Sequence, residues 1–120
     1  MVDIFRVRNS EFINRNGYAA SYYADIQLKR KIDSAGFIFV KIPAFTKTSS
    51  HRHEVLEEVF IALNPLKMNV NNTIIDLKIG DIVLVEPNEL HSIENNSSED
   101  AMLLAIKIPN LKNDKIAINY

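Results

Sequence analysis

Apolar residues run along this chain in short stretches broken by polar turns about every ten residues, the rhythm of a β-protein. Ser21 to Leu28 alternates loosely around Tyr22, Tyr23 and Ile26, and Gly36 to Ile42 is a β-branched and aromatic run stopped by Pro43. Glu58 to Leu63 is closed by Asn64-Pro65. Leu66 to Val70 and Thr73 to Leu77 flank Asn71-Asn72, a pair that tolerates the positive φ of a tight hairpin. Gly80-Asp81 opens Ile82 to Val85, and His91 to Glu94 and Ala101 to Ile108 complete the strong strands. Val55 to Leu63 could be written as a helix, but its β-branched and aromatic content favours a strand.

The ends are patterned more weakly. Phe12 to Asn16 fits a strand or a helical turn, Asn16-Gly17 a turn, and Glu94 to Asp100 a loop. Pro109 to Tyr120 fits a tail, an extra edge strand or an arm to a partner. No repeat and no interdomain linker interrupts the pattern, so residues 1–120 are expected to form one domain. Many short strands in one domain leave a sandwich, a jelly roll or a small barrel, each of which manages exposed sheet edges.

Composition narrows the function classes. With 47% hydrophobic residues the chain can build a core, and with no cysteine it has neither disulfides nor thiolate metal ligands. A net charge of -1 gives no general attraction to a polyanion. The basic cluster Lys29-Arg30-Lys31, with Arg6, Arg8 and Arg15 nearer the start, reads as a solvated turn, so no nucleic-acid partner is expected. No apolar stretch approaches membrane-spanning length, and Met1 to Asn16 carries no apolar leader core, so a cytoplasmic protein without a membrane partner is expected.

The chemistry is concentrated in three histidines, His51, His53 and His91. Residues two apart in a strand share a face, so His51 and His53 project together and can share one ion. Glu58 is out of phase with His53, but a short turn through Glu54 to Glu57 resets the phase and brings Glu58 in from another strand. Phe60 and Ala62 then share its inward face, while Val59 and Ile61 face a second layer or a partner chain. His91 follows the turn after Ile82 to Val85. Three imidazoles and one carboxylate suit one divalent transition metal: Fe, Mn, Ni, Co, Zn or Cu. Octahedral coordination would leave two open positions, whereas tetrahedral zinc would be closed by the same four ligands.

These residues resemble the cupin superfamily, whose two motifs flank a variable hairpin. The first motif runs Gly, five residues, His-x-His, three or four residues, Glu, six residues, Gly; this chain supplies His51, His53 and Glu58, with Glu57 at the shorter spacing. The second runs Gly, five residues, Pro-x-Gly, two residues, His, three residues, Asn; this chain supplies Gly80, His91 and Asn95, with Asn88 in the place of the turn glycine. Phe45 and Pro65 replace the outer glycines of the first motif, and Glu86 holds the motif proline's place with Pro87 behind it. The resemblance covers about Phe37 to Ile108. It implies an all-β jelly-roll barrel (a double-stranded β-helix) with a metal in its mouth, and often a homodimer that exchanges N-terminal strands. It does not imply one activity.

The expected function is a metal-dependent enzyme, of dioxygenase or isomerase type, acting on a small polar molecule. The alternative is a non-catalytic barrel that binds a sugar or effector, motivated by the absence of a convincing general acid or base beyond the ligands. A purely structural metal is a third reading. Glu58 is preferred to Glu57 as ligand, leaving Glu57 at the surface or behind the ligands. Asn95 is expected to start a loop, Glu86 and Glu89 to solvate a turn, and Tyr22, Tyr23 and Lys41 to be packing or surface groups. Phe37, Phe39 and Phe60 are expected in the core.

Overall fold

A computed structural model of the protein describes residues 3–28 and 32–117. The Lys29-Arg30-Lys31 cluster and the last residues of the C-terminal segment lie outside the described residues. The strands are β1 (Asp3–Phe5), β2 (Ile13–Asn14), β3 (Ala19–Ala20), β4 (Gly36–Ile42), β5 (Thr46–Lys47), β6 (His51–His53) and β7 (Glu57–Ala62). They continue with β8 (Leu66–Val70), β9 (Thr73–Leu77), β10 (Ile82–Val85), β11 (His91–Asn95), β12 (Ala101–Ile108) and β13 (Lys115–Ala117). A 3-10 turn at Val7–Asn9 is the helical content of the described residues, and no helix there is long and apolar enough to cross a membrane.

Two antiparallel sheets carry the fold. One has the order β1-β10-β7-β12-β4; the other runs β13-β6-β11-β8-β9, with β5 also paired to β11. Their inner faces supply one core, with Phe60, Ala62, Val83, Val85, Leu103 and Ala105 from the first sheet meeting Leu66, Met68, Val70, Ile75, Leu77 and Ile93 from the second. Alternation is visible along β12, where Ala101, Leu103 and Ala105 are buried and the residues between them are half-buried.

β10, and β7 from Val59 onward, are apolar at every position because both faces are covered. Their outer residues Val59, Ile82 and Leu84 form a second cluster with Phe5, Tyr23, Ile26, Ile61, Ile106 and Ile108. The N-terminal segment is thus the second layer that Val59 faces. Ser21 to Leu28, expected as a strand, supplies part of this cover without forming one. Its apolar residues need burial, which alternation reports, but the segment has no strand partner; Tyr23 instead donates its hydroxyl to the Gly80 carbonyl at 2.7 Å. Asp81, 2% exposed, fastens the same layer by accepting from Arg6 at 2.5 Å and from the Lys78 amide at 2.8 Å.

The expectation that Phe37 and Phe39 pack in the core is overturned: they are 69% and 66% exposed. Strand β4 lies at a sheet edge, and its inward residues are Val40 and Ile42, so the alternate phenylalanines face outward. Of the open alternatives for the C-terminal segment, the structure takes the edge strand, since β13 pairs with β6.

The turns follow the residue chemistry. Asn71 and Asn72 hold φ of 48° and 66° between β8 and β9, and Asn88 holds 68° where the motif glycine is replaced. Phe45 also holds a positive φ, 55°, which a bulky side chain adopts only at a cost. Its ring is largely exposed and contributes little packing to offset that strain. Phe45→Gly is therefore expected to stabilise the protein by about 0.5–1 kcal/mol after the entropy cost of the added glycine, read as a higher denaturation midpoint.

Candidate metal centre

The site is built across both sheets. His51 and His53 lie on β6 and His91 opens β11, directly opposite His51 in the ladder. Glu58 comes from β7 in the facing sheet, between Val85 of β10 and Lys107 of β12. The chain turns at Glu54 and Val55 between β6 and β7, which resets the strand phase and turns Glu58 towards the histidines.

One potential ligand atom from each of His51, His53, Glu58 and His91 lies within 4.8 Å of the others. Ligands held at roughly 2.0–2.2 Å from one ion lie at most about 4.4 Å apart, so closing on an ion needs movements of only a few tenths of an ångström. Glu58 Oε1 is 3.1 Å from His53 Nε2 and 3.3 Å from His91 Nε2. These match the edge of roughly 3.0 Å expected between neighbouring ligands in octahedral geometry.

The hydrogen bonding fits a cation at this position. His91 Nδ1 lies 3.0 Å from the Glu89 carbonyl, so that nitrogen donates and carries the ring proton in the neutral imidazole. His91 Nε2 is then a lone pair, buried without a hydrogen-bond partner and facing a carboxylate oxygen. Two acceptors so close need a cation between them, either a proton or a metal ion. Donation of the remote N–H to a backbone carbonyl is the usual support for a metal-bound histidine. His53 Nδ1 is a second buried nitrogen without a partner.

The charge states favour ligation. Burial lowers His51 to about 4, assisted by the neighbouring His91, Lys115 and His53 and opposed by Glu58, so its imidazole is neutral at pH 7. Burial alone would raise Glu58, but its close contacts with His53 and His91 outweigh it and hold the carboxyl at about 2. A neutral imidazole and an ionised carboxylate are the ligand forms.

Of the two adjacent glutamates, Glu58 belongs to the cluster. Glu57 is 3% exposed, which corrects a surface position for it. Glu86 and Glu89 do more than solvate a turn: Glu89 is buried, its Oε1 accepts from the Glu86 amide at 2.7 Å, and its carbonyl orients His91. Asn95 ends β11 as a buried knot, donating to the carbonyls of Ile42, Pro43 and Glu99 and accepting from the Ser97 amide and hydroxyl. Tyr22 is exposed beside Arg15, Tyr23 is tied to Gly80, and Lys41 is exposed on the outer side of β4.

Sequence reasoning missed Asp114. Its Oδ2 accepts from the Val55 and Leu56 amides at 2.8 and 2.9 Å, within the turn that sets the phase of Glu58. Burial would raise this carboxyl, but those amides and that of Glu54 hold it below the usual range. The signal lies in the pairing of β13 with β6, which no local pattern reveals. Asp114→Ala is expected to cost about 1–2 kcal/mol and to weaken metal binding roughly tenfold, with Asp114→Asn milder in both. Denaturation and metal titration read the two effects separately.

The cluster opens onto a cavity of about 580 Å³. Its walls include Ile38, Val40, Ile42, Phe60, Ile93 and Ala105, and its polar lining includes Lys47, Lys107, Lys115 and the Thr48-Ser49-Ser50 stretch.

Comparison with known proteins agrees with this architecture. A family model described as a cupin domain matches residues 38–107. The oxalate-binding protein of Thermotoga maritima is 32% identical over 73 residues, which cover 60% of this chain and 60% of that protein. An uncharacterised Klebsiella pneumoniae protein with a double-stranded β-helix domain superposes with a TM-score of 0.65 at 15% identity, covering 77% of this chain and 81% of that one. A cupin protein from Bacteroides fragilis gives a TM-score of 0.59 at 18% identity, covering 77% of this chain and 90% of that one. Those two likenesses speak for the fold, and the family match spans both the strand of His51 and His53 and that of His91. The chain belongs to the cupin family.

Proposed function

We propose that this protein is a metal-dependent enzyme acting on a small polar molecule, with His51, His53, Glu58 and His91 holding one divalent transition metal. The observation that carries the reading is the buried His91 lone pair set 3.3 Å from the Glu58 carboxylate beside an open cavity. Such an ion supplies Lewis-acid polarisation of a chelated oxygen donor or redox chemistry with dioxygen, the isomerase-type and dioxygenase-type alternatives. The chain's own residues do the rest. Glu89 fixes the His91 tautomer, Glu58 balances charge, and Phe60, Ile42 and Ile93 limit water beside the ligands. A molecule with two adjacent oxygen donors would suit two open coordination positions. That the Thermotoga relative is an oxalate-binding protein supports a ligand of this kind.

The second reading is a non-catalytic binding barrel. It is favoured by the cavity lining, in which, among the described residues, Glu58 is the only carboxylate and no tyrosine takes part. The test is anaerobic reconstitution with Fe(II), Mn(II) or Zn(II), followed by oxygen uptake and product analysis with 2-oxo and 2-hydroxy acids. Turnover abolished by His51→Ala with His91→Ala supports the enzyme. Turnover untouched by those changes refutes the proposed site, and ligand-induced thermal stabilisation without turnover supports the barrel.

A further inference from the structure

The metal cluster accounts for one end of the cavity and leaves its lysines unexplained. Lys47 comes from β5, Lys107 from β12 and Lys115 from β13, so three strands drawn from both sheets bring lysines to one lining. Lys107 and Lys115 stand opposite Glu58 and His53 and share their inward face, while Lys47 stands opposite Glu94 and also borders a second groove, which places it at the rim. Among the described residues none of the three is ion-paired with a carboxylate, whereas Arg6 and Arg8 contact Asp81 and Lys67 contacts Asp76. Among the described residues the only acidic group in the lining is Glu58, which is committed to the histidines. Three lysines, one carboxylate and a divalent ion leave a strong positive excess, which attracts and retains an anion.

Apart from the polar Thr48-Ser49-Ser50 stretch, the remaining walls are apolar: Ile38, Val40, Ile42, Phe60, Ile93 and Ala105. A cavity of about 580 Å³ is in the range, roughly 300–1,000 Å³, that encloses ligands far larger than a dianion of six heavy atoms such as oxalate. Oxalate would leave most of these apolar walls against water, a loss that an apolar ligand body would recover.

We infer that the ligand of this cavity is an organic carboxylate with an apolar body, its charge balanced by Lys107 and Lys115 with Lys47 at the rim, and its body seated against the β4 wall. This rests on the metal-centre reading above and specifies the ligand of that centre. It also sets this chain's ligand apart from that named for its Thermotoga relative.

Calorimetric titration tests it with mandelate, its neutral amide and oxalate as probes, on metal-loaded and metal-free protein. The comparison is the Lys47→Gln, Lys107→Gln, Lys115→Gln triple variant, whose metal content and melting temperature are measured in parallel. Mandelate is expected to bind at least tenfold tighter than the amide and tighter than oxalate. The triple variant should lose at least tenfold in mandelate affinity while keeping its metal content. Equal binding of mandelate and its amide, or an unchanged triple variant, overturns the lysine assignment, and tighter binding of oxalate overturns the size assignment. Failure of the metal reading shows separately, as no metal uptake by the parent protein. The lysine-dependent preference for mandelate over the amide should then persist in the metal-free protein, and its absence there refutes the inference.

Discussion

Glu58→Gln is expected to weaken binding of a divalent transition metal by at least about a hundredfold while leaving the protein folded. The magnitude follows from replacing a charged ligand, since disturbing even the groups behind metal ligands costs roughly 10–100-fold. The fold survives because glutamine keeps the shape and an oxygen to accept from His53, at 3.1 Å in the parent. Glu57→Gln is the control and should keep its metal. A metal titration with both variants reads the difference, and comparable losses in the two would reassign the ligand.

The same substitution changes the acid response of the metal-free protein. His51 is held at about 4 against an ordinary 6.5, so between these values the unfolded chain takes up a proton that the folded one refuses. Glu58 is held at about 2 against an ordinary 4.5, so its stabilisation is present above 4.5 and is lost as pH falls towards 2. Both make the unfolded state bind more protons, so stability should fall steadily as pH drops from about 6.5. In Glu58→Gln the part of the loss below about pH 4.5 that belongs to Glu58 should vanish. Denaturant midpoints at a series of pH values check this.

Asp81→Ala should have the largest effect on stability, about 3 kcal/mol, or a melting temperature lower by roughly 10 °C. The Asp81 carboxylate is buried and holds Arg6, Arg8 and the Lys78 amide. Removing it orphans the half-buried Lys78 amide and leaves the Arg6 guanidinium largely out of water with, among the described residues, the Asp76 carbonyl to donate to. It also loosens the layer that covers Val59, Ile82 and Leu84. Asp81→Asn keeps an acceptor for the amide and should cost less. Calorimetry measures the loss, and proteolysis in the N-terminal segment should rise with it. A change below about 0.5 kcal/mol would show that the N-terminal layer is held by its apolar contacts alone.

Much of this fold was legible in the chain. Gly36 to Ile42, Leu66 to Val70, Thr73 to Leu77, Ile82 to Val85 and Ala101 to Ile108 were read at the bounds the structure shows, because a strand covered by a core writes its burial into the sequence. The hairpin at Asn71-Asn72 was legible because asparagine tolerates positive φ; the same conformation at Phe45 was not, because phenylalanine does not announce it. The histidines and Glu58 were readable from local spacing plus one phase shift.

What escaped was long-range. Tyr23 and Ile26 advertise burial but not an irregular backbone, since periodicity reports which side is covered and not what pairs. Phe37 and Phe39 look like core residues until β4 is known to lie at an edge. Asp114, and the convergence of Lys107 and Lys115, depend on β13 returning to β6 and on the two sheets closing over the cavity.

The most direct test of the metal centre is elemental analysis of the purified protein beside its His51→Ala, His91→Ala double variant, each after reconstitution. The account predicts about one divalent transition metal per chain in the parent and none in the variant. No metal in either protein, or equal metal in both, would contradict it.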